Sequence, residues 1–200
     1  MTSIARLAFL LPALWLLAAP GLADQGKAAK FVAAALALRD PYVLYDSSYR
    51  RIAYPLGDVP RNLGVCADVI VRAYRAIGID LQQRVHEDMK AHFAAYPKLW
   101  GLKHADANID HRRVPNLRTF FKRHGTVLKV TQNPHDYRPG DLVTWNLRQR
   151  GSLPHIGIVT DKKSLFGPNP LVMHNIGGGQ VLQDMLFDYE ITGHYRYGLE

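Results

Sequence analysis

The chain of 200 residues contains one cysteine, Cys66. A lone thiol cannot close an intramolecular bridge, so disulfides are excluded as a source of stability. Beyond the first twenty residues, no apolar run approaches the roughly 20 residues that a transmembrane helix needs. No run of five basic residues occurs, although Lys and Arg outnumber Asp and Glu by 25 to 17 and the formal charge is +8. The cations are scattered in pairs such as Arg50-Arg51, Arg112-Arg113 and Lys162-Lys163. That describes a solvated basic surface, compatible with a polyanionic partner such as cell-wall polymer or anionic lipid, and no nucleic-acid motif accompanies it. No His-Glu-x-x-His or similar ligand spacing is present, so no metal and no cofactor are expected. Internal repeats and long linkers are also missing, which points to a single domain.

What the chain does have begins at its start. Met1 to Arg6 carries one positive charge, Leu7 to Pro20 is apolar, and Gly21-Leu22-Ala23 offers small residues before charge returns at Asp24. This is the pattern of a secretory signal peptide over residues 1–23, followed by one domain over 24–200. It implies a periplasmic or secreted bacterial protein, a monomer with no stable membrane insertion after cleavage. In an oxidising compartment, a solitary cysteine is either buried and inert or kept for its chemistry.

The apolar periodicity predicts helices over 25–39, 66–77, 81–95 and 114–124. The first is stopped by Asp40-Pro41. The second presents Val69, Ile70, Ala73, Tyr74 and Ile77 on one face, with Gly78 as its cap, and the last has Pro115 in its first turn. Residues 42–45 read as a short extended piece. Residues 46–62 and 98–111 read as loops. The last third changes period, with strands expected over 127–130, 141–145, 155–160, 171–175 and 193–197, separated by Pro/Gly turns. Helices first and successive strands later give an α+β fold, N-terminal helices packed on a C-terminal antiparallel sheet.

Cys66 falls at the start of the second helix. A helix N-terminus stabilises a thiolate through its free N–H groups and its dipole, and a nearby imidazolium does so further. Of nine histidines, His155 and His174 stand apart, because both lie in apolar strands, Pro154-His155-Ile156-Gly157-Ile158-Val159 and Leu171-Val172-Met173-His174-Asn175. Either could be a satisfied core histidine. Side by side on neighbouring strands, His155 would serve as base and acid while His174 held its ring and tautomer. A metallohydrolase built from His155, His174 and Asp68 or Asp141 is a weaker alternative, lacking any metal-ligand spacing.

The segments Leu63-Gly64-Val65-Cys66-Ala67-Asp68-Val69, Arg138 to Trp145, Pro154 to Val159 and Leu171 to Asn175 occur in this order. Together they resemble the NlpC-like superfamily of papain-fold cysteine peptidases, in a bacterial secreted branch. The resemblance covers about residues 50–197. It implies a papain-like fold and a thiol hydrolase cutting an amide or peptide bond, with peptidoglycan stem peptides as the substrate class. It matches Cys66 to the nucleophile, His155 to the general base and His174 to the third member. Tyr54, twelve residues before Cys66, fits the family tyrosine beside the oxyanion site. Two departures bear on substrate. The usual Asp-Cys-Ser is Val-Cys-Ala here, leaving Asp68 to line the site or cap the helix. The long loop from Asp161 to Pro170 lets Asn175 compete with His174 for the third role. A non-catalytic wall-binding or regulatory module that keeps the fold is the reading from a different class.

Two further clusters stay open at this level. Asn108 to Arg113 reads as a substrate rim, with arginine pairing a carboxylate, or as a loop capping the last helix. Tyr42, Tyr45, Tyr49 and Tyr54 line a cleft or pack half-buried.

Overall fold

The computed structural model describes the backbone over residues 21–200 and side chains from residue 26 onward. Most of the segment read as a signal peptide lies outside the described residues. Helix α1 spans Gly21–Ala37, α2 Cys66–Ala76, α3 Leu81–Ala91 and α4 Val114–His124. Asp80 caps α3 by accepting the Gln82 N–H, Pro115 occupies the first turn of α4, and Gly78 follows α2 at φ +80°. In that left-handed region glycine carries no Cβ penalty, so α2 ends without strain.

Strands β1 (Leu44–Tyr45) and β2 (Leu63–Gly64) form a parallel pair. The main sheet contains β3 (Thr126–Val127), β4 (Leu142–Asn146), β5 (Pro154–Lys163), β6 (Pro170–Asn175), β7 (Gln180–Gln183) and β8 (Glu190–Arg196). Its order is β3-β8-β4-β5-β6-β7, antiparallel throughout. The architecture is therefore mixed α+β, helices on an antiparallel sheet. Strand β7 was not expected, because Gln-Val-Leu-Gln is short, has polar ends and follows three glycines.

The period-2 alternation of the strands divides the core. Leu142, Ile156, Ile158 and Met173 join Phe31, Val69, Ile70 and Tyr74 of the helices in the larger cluster, which gathers residues from Phe31 to Leu199. Val143, Trp145, Val159 and Val172 pack on the other face with Tyr137, Met185 and Leu186. Among the described residues, no helix is long and apolar enough to cross a membrane.

Two side-chain clusters brace the sheet and loops. Buried Asp141 accepts hydrogen bonds from His194 Nε2 at 2.8 Å and from the Arg196 guanidinium. Asn108 accepts the Ile52 N–H at 3.0 Å and reaches Tyr49 Oη, so the polar stretch before α4 ties together two distant loops.

Candidate active site

Cys66 is the first residue of α2, where the N–H groups have no carbonyl one turn earlier to bond. Asp68, two residues on, accepts the Val65 N–H at 2.6 Å and so fixes the helix start. The same carboxylate takes Arg112 in a bidentate pair, Nε at 2.9 Å and Nη2 at 3.0 Å, with both side chains buried. Arg112 then donates to the carbonyls of Asp46 and Ser48 at 3.0 and 3.3 Å. Asp68 is thus a helix cap and the anchor of a buried arginine. That arginine holds the loop which follows β1.

Why this loop matters is set by the β1–β2 pair. Leu44 N–H donates to the Asn62 carbonyl at 2.9 Å and Asp46 N–H to the Gly64 carbonyl at 3.2 Å. Tyr45 therefore lies in register with Gly64, and its hydroxyl meets the Cys66 sulfur. Burial, followed by the charge and hydrogen bond of Cys66, raises the Tyr45 pKa well above that of a free phenol. Tyr54 lies elsewhere. It packs edge-on against His86 of α3, with Glu87 and Asp80 nearby, and the tyrosine whose hydroxyl meets the sulfur is Tyr45.

Strand β5 passes against the thiol, with the Ile156 N–H directed at Sγ alongside that of Ala67. His155, the preceding residue, is buried with Trp145 at its side, ring centroids 5.9 Å apart. His155 Nε2 lies 3.0 Å from His174 Nδ1, and the two rings are nearly perpendicular at 85°. Gly157 makes this possible. A Cβ there would fall 2.5 Å from Val172 Cγ1 and 3.3 Å from His174 Cβ, so a side chain would push β6 away. His174 Nε2 lies 2.8 Å from Gln183 Oε1 on β7.

This chain of contacts dictates the tautomers. The Gln183 carbonyl can only accept, so His174 carries its proton on Nε2 and presents an acceptor at Nδ1. His155 must then donate from Nε2, which leaves Nδ1 with a free lone pair. Asn175 plays another part. Its amide donates to the Gly64 carbonyl at 3.4 Å and its carbonyl accepts the Gly177 N–H at 3.0 Å, so it tethers the segment before Cys66 while His174 meets the His155 ring.

The electrostatics follow from burial. Cys66 is only 3% exposed, and burial pushes its thiol up to about 11, against the opposing pull of the Ile156 and Ala67 N–H groups and the Tyr45 hydroxyl. Burial, reinforced by His174, brings His155 down to about 3. His174 is lowered by burial as well, with Gln183 acting in the other direction. The resting pair is a neutral thiol and a neutral imidazole.

A cavity of about 650 Å³ lies on the flank of α2 among Arg39, Arg61, Arg72 and Arg75, away from the cysteine. A smaller one of about 330 Å³ adjoins Cys66 at Val65 and is lined by Tyr49, Trp100 and Arg113. Arg113 stacks over the Trp100 ring at 4.3 Å, and Trp100 is 54% exposed. Of the alternative metal ligands, Asp68 is spent on Arg112 and Asp141 on His194 and Arg196. Among the described residues no three His, Cys, Asp or Glu side chains converge on a metal-sized space.

Sequence reasoning missed Tyr45, Arg112 and Gln183 as parts of this arrangement. Local pattern places Tyr45 and Arg112 only in open polar clusters and does not mark Gln183, since the part each plays depends on pairing across the fold.

The chain belongs to the family described as a domain of unknown function (DUF1287), whose model matches residues 32–197. It is also 51% identical over 155 residues to the Escherichia coli (strain K12) protein named "Uncharacterized protein YijF", a match that covers 78% of this chain and 74% of the relative.

Proposed function

We propose that the protein is a thiol hydrolase of papain-like, NlpC-type architecture, exported to the periplasm or beyond, that cleaves an amide bond in peptidoglycan stem peptides. The observation that carries this reading is the relay Gln183–His174–His155 on a strand that passes the Cys66 sulfur at a helix N-terminus. A core histidine needs one hydrogen-bond partner to be satisfied. This relay leaves one imidazole nitrogen unprotonated on the residue next to Ile156, whose N–H is directed at the sulfur, and a neutral imidazole of that kind is what general-base activation requires.

In this reading the Cys66 proton passes to His155 Nδ1 as sulfur attacks the carbonyl carbon, because burial keeps both groups neutral beforehand. The oxyanion is stabilised by the Cys66 N–H and the Tyr45 hydroxyl. His155 then protonates the leaving amine, and water, deprotonated by the same imidazole, releases the acyl group and restores the thiol. The cavity beside Val65 suits an acidic peptide, with the Arg113 guanidinium facing a carboxylate and Trp100 beneath the chain.

Mass spectrometry of muropeptides after incubation with the wild type and with Cys66→Ala tests the proposal. New cleavage products are expected from the wild type alone. Iodoacetamide labelling adds a direct check. Wild-type Cys66 should label with a pH-dependent rate already below about pH 7, and His155→Ala should lose that component. A wild-type rate that is slow and flat below neutrality overturns the reading.

The burial of Cys66 favours one other reading, a non-catalytic wall-binding or regulatory module. It predicts muropeptide binding that Cys66→Ala leaves unchanged, with no products from the wild type.

A further inference from the structure

At the end of the molecule remote from Cys66, β5 and β6 are joined by a tight hairpin closed by Ser164 N–H donating to the Asn169 carbonyl at 2.9 Å. Its tip carries Leu165 and Phe166, exposed to 94% and 97%. Folding buries almost none of either side chain, although both are large and apolar. The neck of the hairpin is ordered. Lys163 pairs with Pro170 in the sheet register, the Phe166 N–H donates to Ser164 Oγ at 3.2 Å, and the Asn169 amide donates to Asp184 at 3.1 Å. The two side chains are therefore held out on a firm stem.

The charges around the stem favour an anionic surface. Exposed Lys162 and Lys163 form a collar immediately below the tip, and exposed Arg138 shares a cavity wall with Lys162. Against them stand Asp161, which pairs with Lys162 at 3.2 Å with both partners more than half exposed, and Asp184 on the neighbouring loop. A pair so exposed is screened and leaves the lysine free to exchange partners.

The path of the chain sets where the hairpin stands relative to Cys66. His155, His174 and Asn175 lie at the other end of these two strands, and β5, ten residues at about 3.3 Å each, spans roughly 33 Å. Helix α1, 17 residues at about 1.5 Å each, runs back over most of that length. Asp40, just past its C-terminus, bridges to Gln180, the partner of Asn175, at the cysteine end. Ala28 and Ala29, near its N-terminus, share a cavity with Asp161 and Lys162 at the hairpin end. The described chain thus enters the fold beside the hairpin.

We infer that the Leu165–Phe166 hairpin is an interfacial anchor that docks on a bilayer rich in anionic lipid. Leu165 and Phe166 enter the headgroup boundary while Lys162 and Lys163 face lipid phosphates. Docked this way, the molecule stands with Cys66 directed away from the bilayer, on the order of 30 Å from it. This placement is independent of the chemistry proposed for Cys66.

Co-sedimentation with vesicles tests it, using the chain from residue 24, which keeps every residue of both apolar clusters. Binding to vesicles containing phosphatidylglycerol is expected to exceed binding to pure phosphatidylcholine. Leu165→Ser/Phe166→Ser should lower it by about tenfold or more, and Lys162→Ala/Lys163→Ala should lower it several-fold and weaken its salt dependence. Both pairs are solvent-exposed, so unchanged thermal unfolding is expected. Phe166→Trp should add blue-shifted emission only when anionic vesicles are present. The inference is overturned if the wild type ignores both vesicles, if the Leu165/Phe166 variant binds as the wild type does, or if that variant instead abolishes a self-association of the wild type.

Discussion

The side-chain carbonyl of Gln183 lies 2.8 Å from His174 Nε2 and so sets the proton positions of two histidines at once. Removing that acceptor frees His174 to place its proton on Nδ1, which turns a donor toward His155 and forces its ring to flip or lose its partner. Gln183→Ala is expected to lower the rate of amide cleavage roughly 10- to 100-fold, the cost of one hydrogen bond to a group that becomes charged during reaction. Gln183→Glu should restore much of the rate and move the acidic limb of the pH–rate profile upward, because a carboxylate favours the protonated histidine pair. A merely structural role would leave that limb in place.

The two tyrosines before Cys66 separate cleanly. Tyr45→Phe removes the hydroxyl at the sulfur and should reduce kcat by about 10²-fold if that group stabilises the oxyanion. Tyr54→Phe, at the His86 ring, should leave kcat within about twofold of the wild type, as for a surface substitution remote from the reacting atoms. Steady-state kinetics on one muropeptide substrate would compare them.

Arg112 is expected to matter for stability before it matters for rate. Arg112→Ala leaves the Asp68 carboxylate buried without its partner, which costs about 3–5 kcal/mol. The charge-free double variant Asp68→Asn/Arg112→Met should recover part of that loss. Urea unfolding measures both.

Acid should unfold the protein well above the range where carboxylates titrate. Burial, then the Arg112 charge, lowers His111 to about 3, and burial with His174 does the same to His155. The folded state refuses these protons, while the unfolded chain takes them near pH 6.5. Stability contributed by the two neutral rings is therefore full above that value and declines as pH falls toward 3, each ring contributing up to about 1.4 kcal/mol per pH unit. His111 Nδ1 is buried without a partner among the described residues. His111→Leu should accordingly reduce the slope of unfolding free energy against pH between about pH 6 and pH 4, leaving the shares of His155 and of His174, which burial also lowers.

Much of the fold is legible from local pattern. The apolar stripe of α2 and the change to period 2 after Val127 reflect one element meeting one core, so they can be read without knowing the partner. The same holds for α4, bounded by Pro115 and Gly125. Strand β7 fails this test, since Gln180 to Gln183 has no apolar alternation and forms because β6 offers it an edge. Helix α3 is shorter than its periodicity suggests, because the chain turns at His92 into a single 3-10 turn.

The candidate site divides in the same way. Cys66, His155 and His174 could be singled out in the sequence, because a lone thiol at a helix start and imidazoles in apolar strands are anomalies of composition in their own neighbourhoods. Which atoms meet was decided only by tertiary structure. Tyr45 reaches the sulfur because a parallel two-residue pairing, invisible to spacing, aligns it with Gly64. Asp68 became a cap and an anchor because Arg112, 44 residues away in the chain, folds back onto it. Gln183 acquired its part because strand register sets it across from Val172, next to His174. Residue chemistry is a local property that the sequence carries by itself. The pairing of donors with acceptors across the sheet is non-local, and it exists only once the elements have packed.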